Sequence, residues 1–205
     1  MNKLLLNTSY FPPIQYISKL PVYKDIYIEQ YETYGKQSYR NRCHILTANG
    51  VVPLSIPVVK TSARFLTKDA EIDYSTAWQR LHFRGIESAY KNSPFYDYYI
   101  EEFIKYFKTK EKYLLDYNQK ILETLLEQME IDKTIQFTDD YVSDTTGYTD
   151  FRDVIHPKPG RRPAEDCDFI SRPYTQTFSD RFPFFPNLSI LDLLFNTGPE
   201  ATKYL

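Results

Sequence analysis

The sequence lacks the short motifs that announce the common enzyme classes. It has no glycine-rich phosphate loop, no Gly-x-Ser-x-Gly turn, no His-Glu-x-x-His helix and no Cys-x-x-Cys pair. These absences argue against classical nucleoside-triphosphate, dinucleotide, serine-hydrolase and zinc chemistry. The acidic loop that begins at Asp139 has no EF-hand spacing, so no metal site is predicted. The sequence names no cofactor.

Cysteine and long apolar runs are scarce as well. Two cysteines, Cys43 and Cys167, are too few for a disulfide scaffold, so we expect free thiols in a reducing compartment. The amino-terminal residues carry only a three-leucine run, too short for a signal peptide or a spanning helix. The net charge of −2 gives no basic field for nucleic acid. We therefore expect a cytoplasmic protein with no transmembrane segment and no nucleic-acid partner.

The length of 205 residues suits one sizeable core, and we expect a single domain over residues 1–205. Strand patterns at Lys3–Asn7 and Lys24–Gln30 flank a short helix that follows two prolines, which predicts a parallel βαβ unit. Apolar spacing predicts three helices between residues 75 and 129, and a last helix begins at Ser189. Further strands are predicted at residues 70–72, 133–138 and 174–178. The predicted fold class is α/β, with a mixed, partly parallel sheet, a β-hairpin and covering helices.

The most unusual stretch runs from Lys36 to Lys60. Its Asn49-Gly50 pair lies between two β-branched apolar runs, which predicts a two-residue hairpin turn. Strand side chains alternate between faces, so pairing that extends back through the stretch aligns cations and a histidine on one face. That face carries Lys36, Arg40, Arg42 and His44, and the opposite face carries Asn41 and Cys43. Clustered cations repel one another unless a negative group lies among them, which predicts an anion-binding ridge.

One interpretation of this ridge is the substrate site of a transferase. Arg40 and Arg42 would hold a diphosphate or a carboxylate through their planar guanidinium forks, and Lys36 would add a point charge. His82 or His44 would then move a proton. Because His82 lies on the apolar stripe of its predicted helix, it is also a candidate for an ordinary core histidine.

Three other interpretations stay open. A non-catalytic module would bind an acidic ligand or partner through the same residues without turnover. Cys43 would be an acyl-carrying nucleophile in another, although a buried thiol on the opposite face is typically inert. In the last, the arginines form internal salt bridges with Asp25, Glu29 or Glu32, and no ligand is needed.

Polar residues elsewhere add two smaller predictions. Asn118 lies on the apolar stripe of the third helix, so its amide must find hydrogen-bond partners, either in a loop or in a ligand. Arg161 and Arg162 lie in a long loop over residues 151–168, where they either close over an anion or are simply solvated.

Five segments in this order resemble the WbqC-like family of bacterial proteins, and together they span almost the whole chain. They are SYFPPIQYISKL from Ser9, KQSYRNRCHILTANGVVPLSIPV from Lys36, the Trp78-x(3)-His82 helix, AYKNSPFYDYY from Ala89 and FPNLSILDLLFNTGP from Phe185. The chain departs from the family pattern at Ser9-Tyr10, where a Gln-Pro pair is expected, and over residues 147–168.

The resemblance implies a role in surface-polysaccharide (O-antigen-type) biosynthesis, with acyl or aminoacyl transfer onto a nucleotide-linked amino sugar. Its motifs add Tyr10, Gln15 and Trp78 to the residues expected to contact substrate. The expected partner is a small anionic or nucleotide-sugar ligand. A second copy of the chain is also considered as a partner, because the aromatic helix over residues 95–107 would supply a dimer face.

Overall fold

The computed structural model describes residues 3–59, 64–158 and 166–205. Its strands are β1 (Lys3–Asn7), β2 (Asp25–Glu29), β3 (Arg42–Thr47), β4 (Gly50–Ser55), β5 (Ile135–Phe137) and β6 (Tyr148–Asp150). Four of them form a parallel sheet in the order β5-β2-β1-β6. β3 and β4 pair only with each other, as an antiparallel hairpin. The parallel and antiparallel pairings therefore belong to separate sheets.

The helices of the described ranges cover these sheets. They are α1 (Ile14–Lys19), α2 (Trp78–Tyr90), α3 (Tyr96–Ile104), α4 (Leu114–Gln128) and α5 (Ile190–Thr197). α1 connects β1 to β2, which pair in parallel with Leu5 opposite Tyr27. The α/β class, the parallel βαβ unit and the Asn49-Gly50 hairpin are confirmed.

One core joins the two sheets to the helices, and aromatic rings fill much of it. Tyr10, Phe11, Tyr90, Tyr117 and Phe103 are each wholly buried. Buried tyrosines need partners for their hydroxyl groups. Tyr117 donates to the Tyr106 carbonyl at 2.8 Å, for example. The tyrosine-rich composition thus supplies large rings that also tie loops to the core.

Several sequence-based boundaries differ from the structure. Residues 174–178 form no strand, because the Gln176 amide is buried and bonds Asp192 and the Phe185 backbone instead of a neighbouring strand. Residues 70–72 make only isolated bridges. β6 was not predicted, since three residues carry no readable alternation.

The structure does not test two further predictions. Arg161 and Arg162 lie outside the described residues. A dimer face on α3 stays a prediction, and the exposed ring on that helix is Tyr98. No helix in the described part of the chain is both long and apolar enough to cross a membrane.

Candidate functional site

The predicted cationic ridge is interrupted just before β3. The hairpin ladder joins Arg42 to Ser55 and ends one step further, where the Ile56 N–H donates to the Asn41 carbonyl. Residues 36–40 form turns and a bend instead of a strand. The expected alignment of all the cations on one strand face is therefore wrong for the residues before Arg42.

The ladder stops because its two sides find other partners. Tyr10 donates its backbone N–H to the Tyr39 carbonyl at 2.9 Å, and the Asn118 amide donates to the Arg40 carbonyl at 2.8 Å. On the other side, the residues after β4 pair with residues 71–73. The Asn118 amide also reaches the Thr8 hydroxyl at 3.1 Å. Asn118 therefore joins α4 to the segments that contain Thr8 and Arg40.

Arg40 forms a buried ion pair with Glu32. Its Nε lies 2.7 Å from Glu32 Oε1 and its Nη2 lies 2.5 Å from Oε2, so the guanidinium fork is matched by both carboxylate oxygens. The two side chains are only 9% and 11% exposed. Burial raises the pKa of Glu32, and the Arg40 charge opposes that rise. For Arg40, the geometry favours the internal salt bridge over ligand binding.

Arg42 has a different environment, because it lines an open groove of about 400 Å³ beside the hairpin. We call this cavity the hairpin groove. The lining residues on which the following sections depend are Tyr34, Lys36, Asn41, Arg42, Ser55 and Phe65. Lys36, Asn41 and Arg42 of the predicted anion site are therefore brought together in one cavity.

The polar end of the hairpin groove has unused hydrogen-bonding capacity. Arg42 Nε donates to the Ser55 hydroxyl at 2.9 Å, and within the described residues no carboxylate lies at ion-pair distance from its guanidinium. Lys36 is exposed and makes no ion pair with those residues either. Among the described residues, the buried Asn41 Oδ1 has no hydrogen-bond donor as a partner, although the amide nitrogen of the same side chain donates to the Ile56 carbonyl. A guanidinium keeps further N–H donors when only Nε is engaged.

The wall of the hairpin groove is aromatic and aliphatic. The Tyr34 and Phe65 rings stack with centroids 5.1 Å apart and planes 15° from parallel. Their backbones are joined by a bond from the Tyr34 N–H to the Phe65 carbonyl at 2.9 Å. Burial raises the pKa of Tyr34, so its phenol stays neutral. The groove therefore combines a cationic end with a planar, apolar wall.

His82, Tyr10 and Trp78 lie in the core and are not part of the described groove lining. The Tyr10 hydroxyl is 2.9 Å from His82 Nδ1, and the Trp78 ring packs edge-on against His82. Burial lowers the pKa of His82 to about 4. His82 is 5% exposed, so the geometry shows a neutral core histidine without direct access to a ligand. Direct substrate contact by these residues stays a prediction that the geometry does not favour.

His44 and Cys43 keep the alternation that the strand predicts. His44 shares a strand face with Arg42, and burial together with the Arg42 charge lowers the pKa of its imidazole. Its ring packs edge-on against Tyr39 and is not part of the described groove lining. Cys43 is 1% exposed on the other face, where burial raises the pKa of its thiol. A thiol held protonated in the core is a poor nucleophile.

Gln15 contributes to a buried polar cluster instead of the groove. Its amide nitrogen donates to Asp166 at 2.8 Å, and its oxygen accepts from the Asn187 amide at 3.0 Å. Asp166 also pairs with Lys19 at 2.7 Å, with both side chains almost fully buried. These bonds tie α1 to Asp166, near the end of the long loop, and to Asn187 before α5.

The carboxyl edge of the parallel sheet holds a second charge network. Glu29, at the end of β2, is wholly buried and accepts bonds from the Tyr31 and Val142 backbones, from Thr138 and from Arg152. Glu29 therefore pairs with Arg152 and not with Arg40 or Arg42. Within the described residues, Glu32 is the only suggested carboxylate that pairs with either of those two arginines, and its partner is Arg40.

Sequence reasoning missed three residues of the groove. Ser55 had a usable signal, because a two-residue turn at Asn49-Gly50 fixes a register that places Ser55 opposite Arg42. Tyr34 and Phe65 had none, since their segments form no named strands and meet through an isolated bridge between Thr33 and Leu66 and a few backbone hydrogen bonds beside it. Across the described ranges, no group of three or more His, Cys, Asp or Glu side chains is placed to hold a metal ion.

The fold and the groove define an α/β protein with a cationic pocket beside a β-hairpin. The WbqC-like protein family matches residues 8–156 and 165–204, and the chain belongs to that family. "Uncharacterized protein Rv1507c" of Mycobacterium tuberculosis is similar, with 24% identity over 229 residues that cover 96% of this chain and 91% of that protein. No solved structure matches the chain.

Proposed function

We propose that the hairpin groove is the substrate site of a transferase, and that it binds a small molecule in which an anionic group adjoins a planar or apolar part. The observation that carries the proposal is the Arg42 guanidinium, which lines an open cavity and pairs with no carboxylate of the described residues. Arg40 differs from Arg42, because both oxygens of the Glu32 carboxylate accept hydrogen bonds from its guanidinium.

A nucleotide-linked sugar has the chemistry that this groove supports. Its diphosphate matches the guanidinium of Arg42 in a bidentate arrangement, and Lys36 supplies a further positive charge. Its base is planar and suits the wall built by Tyr34 and Phe65.

The reaction class rests on the family resemblance and not on the groove. That resemblance favours acyl or aminoacyl transfer onto a nucleotide-linked amino sugar, in the cytoplasmic stages of surface-polysaccharide (O-antigen-type) biosynthesis. The groove supports the binding half of the proposal, because anion recognition is what its charges and donors allow.

One observation favours a second candidate, a non-catalytic domain that binds the same anion or an acidic partner. The described lining of the groove contains no histidine, and both histidines suggested as proton carriers lie elsewhere. A transferase needs an acid–base group within reach of the substrate, or a substrate that supplies its own. A binding module needs neither.

The test is thermal unfolding of the wild-type protein, of Arg42→Ala and of Arg80→Ala with UDP-N-acetylglucosamine, pyrophosphate and acetyl-coenzyme A. Arg80 is an exposed arginine of α2 outside the groove, so its variant has the same charge change. A ligand at about 100 times its Kd stabilises the folded state by about 2.7 kcal/mol. For a chain of this size that gain raises Tm by roughly 5–11 °C.

We expect a rise in Tm for the wild type and for Arg80→Ala, and its loss in Arg42→Ala. An equal rise in all three proteins would contradict the groove as the binding site, and no rise with any anion would contradict the proposal. Mass spectrometry of mixtures of the bound sugar with acyl donors then separates the two candidates, because only a transferase changes the mass of the sugar.

A further inference from the structure

A tight turn shortly before β3 forms part of the rim of the hairpin groove. The Ser38 hydroxyl donates to the Gly35 carbonyl at 2.7 Å across this turn. The two residues between them, Lys36 and Gln37, are exposed, and both line the groove. The turn therefore presents a cationic side chain and an amide side chain next to each other at the rim.

The backbone of Gln37 has an uncommon conformation. Its φ is 56°, in the left-handed region where a turn usually has glycine or asparagine. Glutamine has a Cβ, unlike glycine, and its side chain is longer than the asparagine side chain that bonds its own backbone in turns. Such conformations persist only where the surroundings fix them, and they cluster at binding sites. A glutamine at this position therefore indicates a function for its side chain.

The Gln37 side chain holds a lysine from a distant part of the chain. Gln37 Oε1 accepts a hydrogen bond from Lys158 Nζ at 2.7 Å, and the two residues are 121 positions apart. The backbone N–H of Lys158 donates to His156 Nδ1 at 3.0 Å, which constrains the chain that carries the lysine. Lys158 thus reaches the rim of the groove from the segment that follows β6.

The partner of Lys158 leaves its positive charge unneutralised. An amide oxygen is a neutral acceptor, and an ammonium group keeps two further N–H donors when one is engaged. Within the described residues, Lys158 makes no ion pair, and neither do Lys36 and Arg42. The described lining of the groove contains no aspartate and no glutamate. Three cations therefore lie in or beside one cavity that has no carboxylate in its described lining.

The bond between Gln37 and Lys158 adds little to the stability of the fold. Both side chains are exposed, so water competes for the bond, and both side chains lose rotamer freedom when it forms. A contact of this kind places a charge more than it stabilises a structure.

We propose that Lys158 is a ligand-binding residue of the hairpin groove, that Gln37 positions it, and that the groove recognises a diphosphate in preference to a single phosphate. In this arrangement the Arg42 fork binds one phosphate, and the ammonium groups of Lys36 and Lys158 bind the other. A charge spread over two phosphates relieves the mutual repulsion of three cations at more than one point. The inference rests on the proposed function, because it names the anion that the same site selects.

The test measures the Kd of UDP and of UMP by calorimetry for the wild type, Lys158→Gln, Arg42→Ala and the control Lys91→Gln. Lys91 is an exposed lysine directly after α2 and is not part of the described groove lining, so its variant has the same charge change. We expect Lys158→Gln to weaken UDP binding by about three- to tenfold, the effect of one charge-assisted hydrogen bond at an exposed site. UMP binding should change by less than about twofold in the same variant. Arg42→Ala should weaken the binding of both nucleotides, and Lys91→Gln that of neither.

Gln37→Ala tests the positioning role. We expect it to weaken UDP binding in the wild-type background and to have no further effect in the Lys158→Gln background, because Gln37 acts through the lysine. Equal losses in the two backgrounds would contradict that role. Thermal unfolding without ligand should give the same Tm for Lys158→Gln and the wild type, since the contact adds little to stability.

A cross-linking experiment checks the placement of Lys158 without a ligand. A short amine-reactive reagent should join Lys36 to Lys158 in the wild type, and mass spectrometry of the digested protein identifies the linked peptides. UDP should lower the yield of this product, because both ammonium groups then engage the ligand. Absence of the cross-link in the free protein would overturn the inference.

The inference and the proposed function fail in different ways. If UDP binds and Arg42→Ala weakens it, but Lys158→Gln binds UDP as the wild type does, the inference is overturned and the proposed function stands. Equal losses for UDP and UMP in Lys158→Gln would contradict recognition of a diphosphate. If the wild type binds neither these nucleotides nor any other anion, the proposed function fails and the inference fails with it.

Discussion

Replacement of Arg40 by alanine should destabilise the protein far more than the same change at Arg42. The Arg40 side chain is 9% exposed and meets both oxygens of a Glu32 carboxylate that is 11% exposed. The variant would leave that carboxylate without its cation in a site that water barely reaches. Arg42 instead makes one bond to a serine hydroxyl and lines an open groove.

The expected magnitudes differ several-fold. Removal of one partner of a buried ion pair costs about 3–5 kcal/mol of unfolding free energy. For a chain of this length, that loss lowers Tm by roughly 6–20 °C. Loss of the single neutral acceptor bond of Arg42 costs about 0.5–1.5 kcal/mol. The loss of unfolding free energy in Arg40→Ala should also grow as pH rises. Burial raises the pKa of Glu32, and the variant leaves only the ionised form of Glu32 without its partner.

Urea unfolding of wild type, Arg40→Ala, Arg42→Ala and the exposed control Arg80→Ala measures these differences. Arg40→Ala combined with Glu32→Gln should recover part of the loss, since the double variant no longer buries an unpaired charge. The reasoning is refuted if Arg40→Ala unfolds within about 1 kcal/mol of wild type. It is also refuted if Arg42→Ala is as damaging as Arg40→Ala.

Two further predictions concern other parts of the fold. The pKa of His82 is lowered from 6.5 to about 4 in the folded state, so the free energy of unfolding should rise by about 3 kcal/mol as pH rises between those values, and fall again as pH falls. Urea unfolding from pH 4 to 7 should show a flatter pH dependence for His82→Gln than for the wild type. An NMR titration that gives His82 its ordinary pKa would contradict this prediction. Gly198→Ala places a Cβ 2.5 Å from the Phe95 ring at a φ of 58°, whereas Gly147→Ala at a φ of 88° meets nothing within 4 Å. Gly198→Ala should therefore lose about 1–3 kcal/mol more unfolding free energy than Gly147→Ala in the same urea assay. Equal losses would show that the Phe95 ring moves aside at little cost.

The parts of the fold that sequence predicts well are those fixed by local pattern. The Asn49-Gly50 turn and the β-branched runs around it specify the hairpin and its register. The apolar spacing of α4 specifies both its limits and the position of Asn118 on its buried face. These features depend on residues within one or two turns of each other, so one sequence contains all the information needed.

Only part of the groove could be predicted. Its cations follow from a local strand pattern, whereas its aromatic wall depends on a contact between segments that are distant in sequence. Arg42 and Asn41 were singled out from strand alternation and family resemblance. The Tyr34–Phe65 stack depends on two loop segments about thirty residues apart, joined by an isolated bridge and a few backbone hydrogen bonds. No periodicity marks such a contact, and no single sequence reports it.

The different fates of Arg40 and Arg42 trace to backbone hydrogen bonds and not to the arginines themselves. Strand alternation would align both guanidinium groups, but it holds only where the ladder continues. The Asn118 amide holds the Arg40 carbonyl, and Tyr10 holds the carbonyl of Tyr39, so the chain turns before the ladder reaches them. The turn delivers Arg40 to Glu32, where its charge is neutralised, and leaves Arg42 on the groove. Arg40 is thereby paired inside the fold, whereas Arg42 pairs with no carboxylate of the described residues, and the buried Asn118 amide of α4 contributes to that difference.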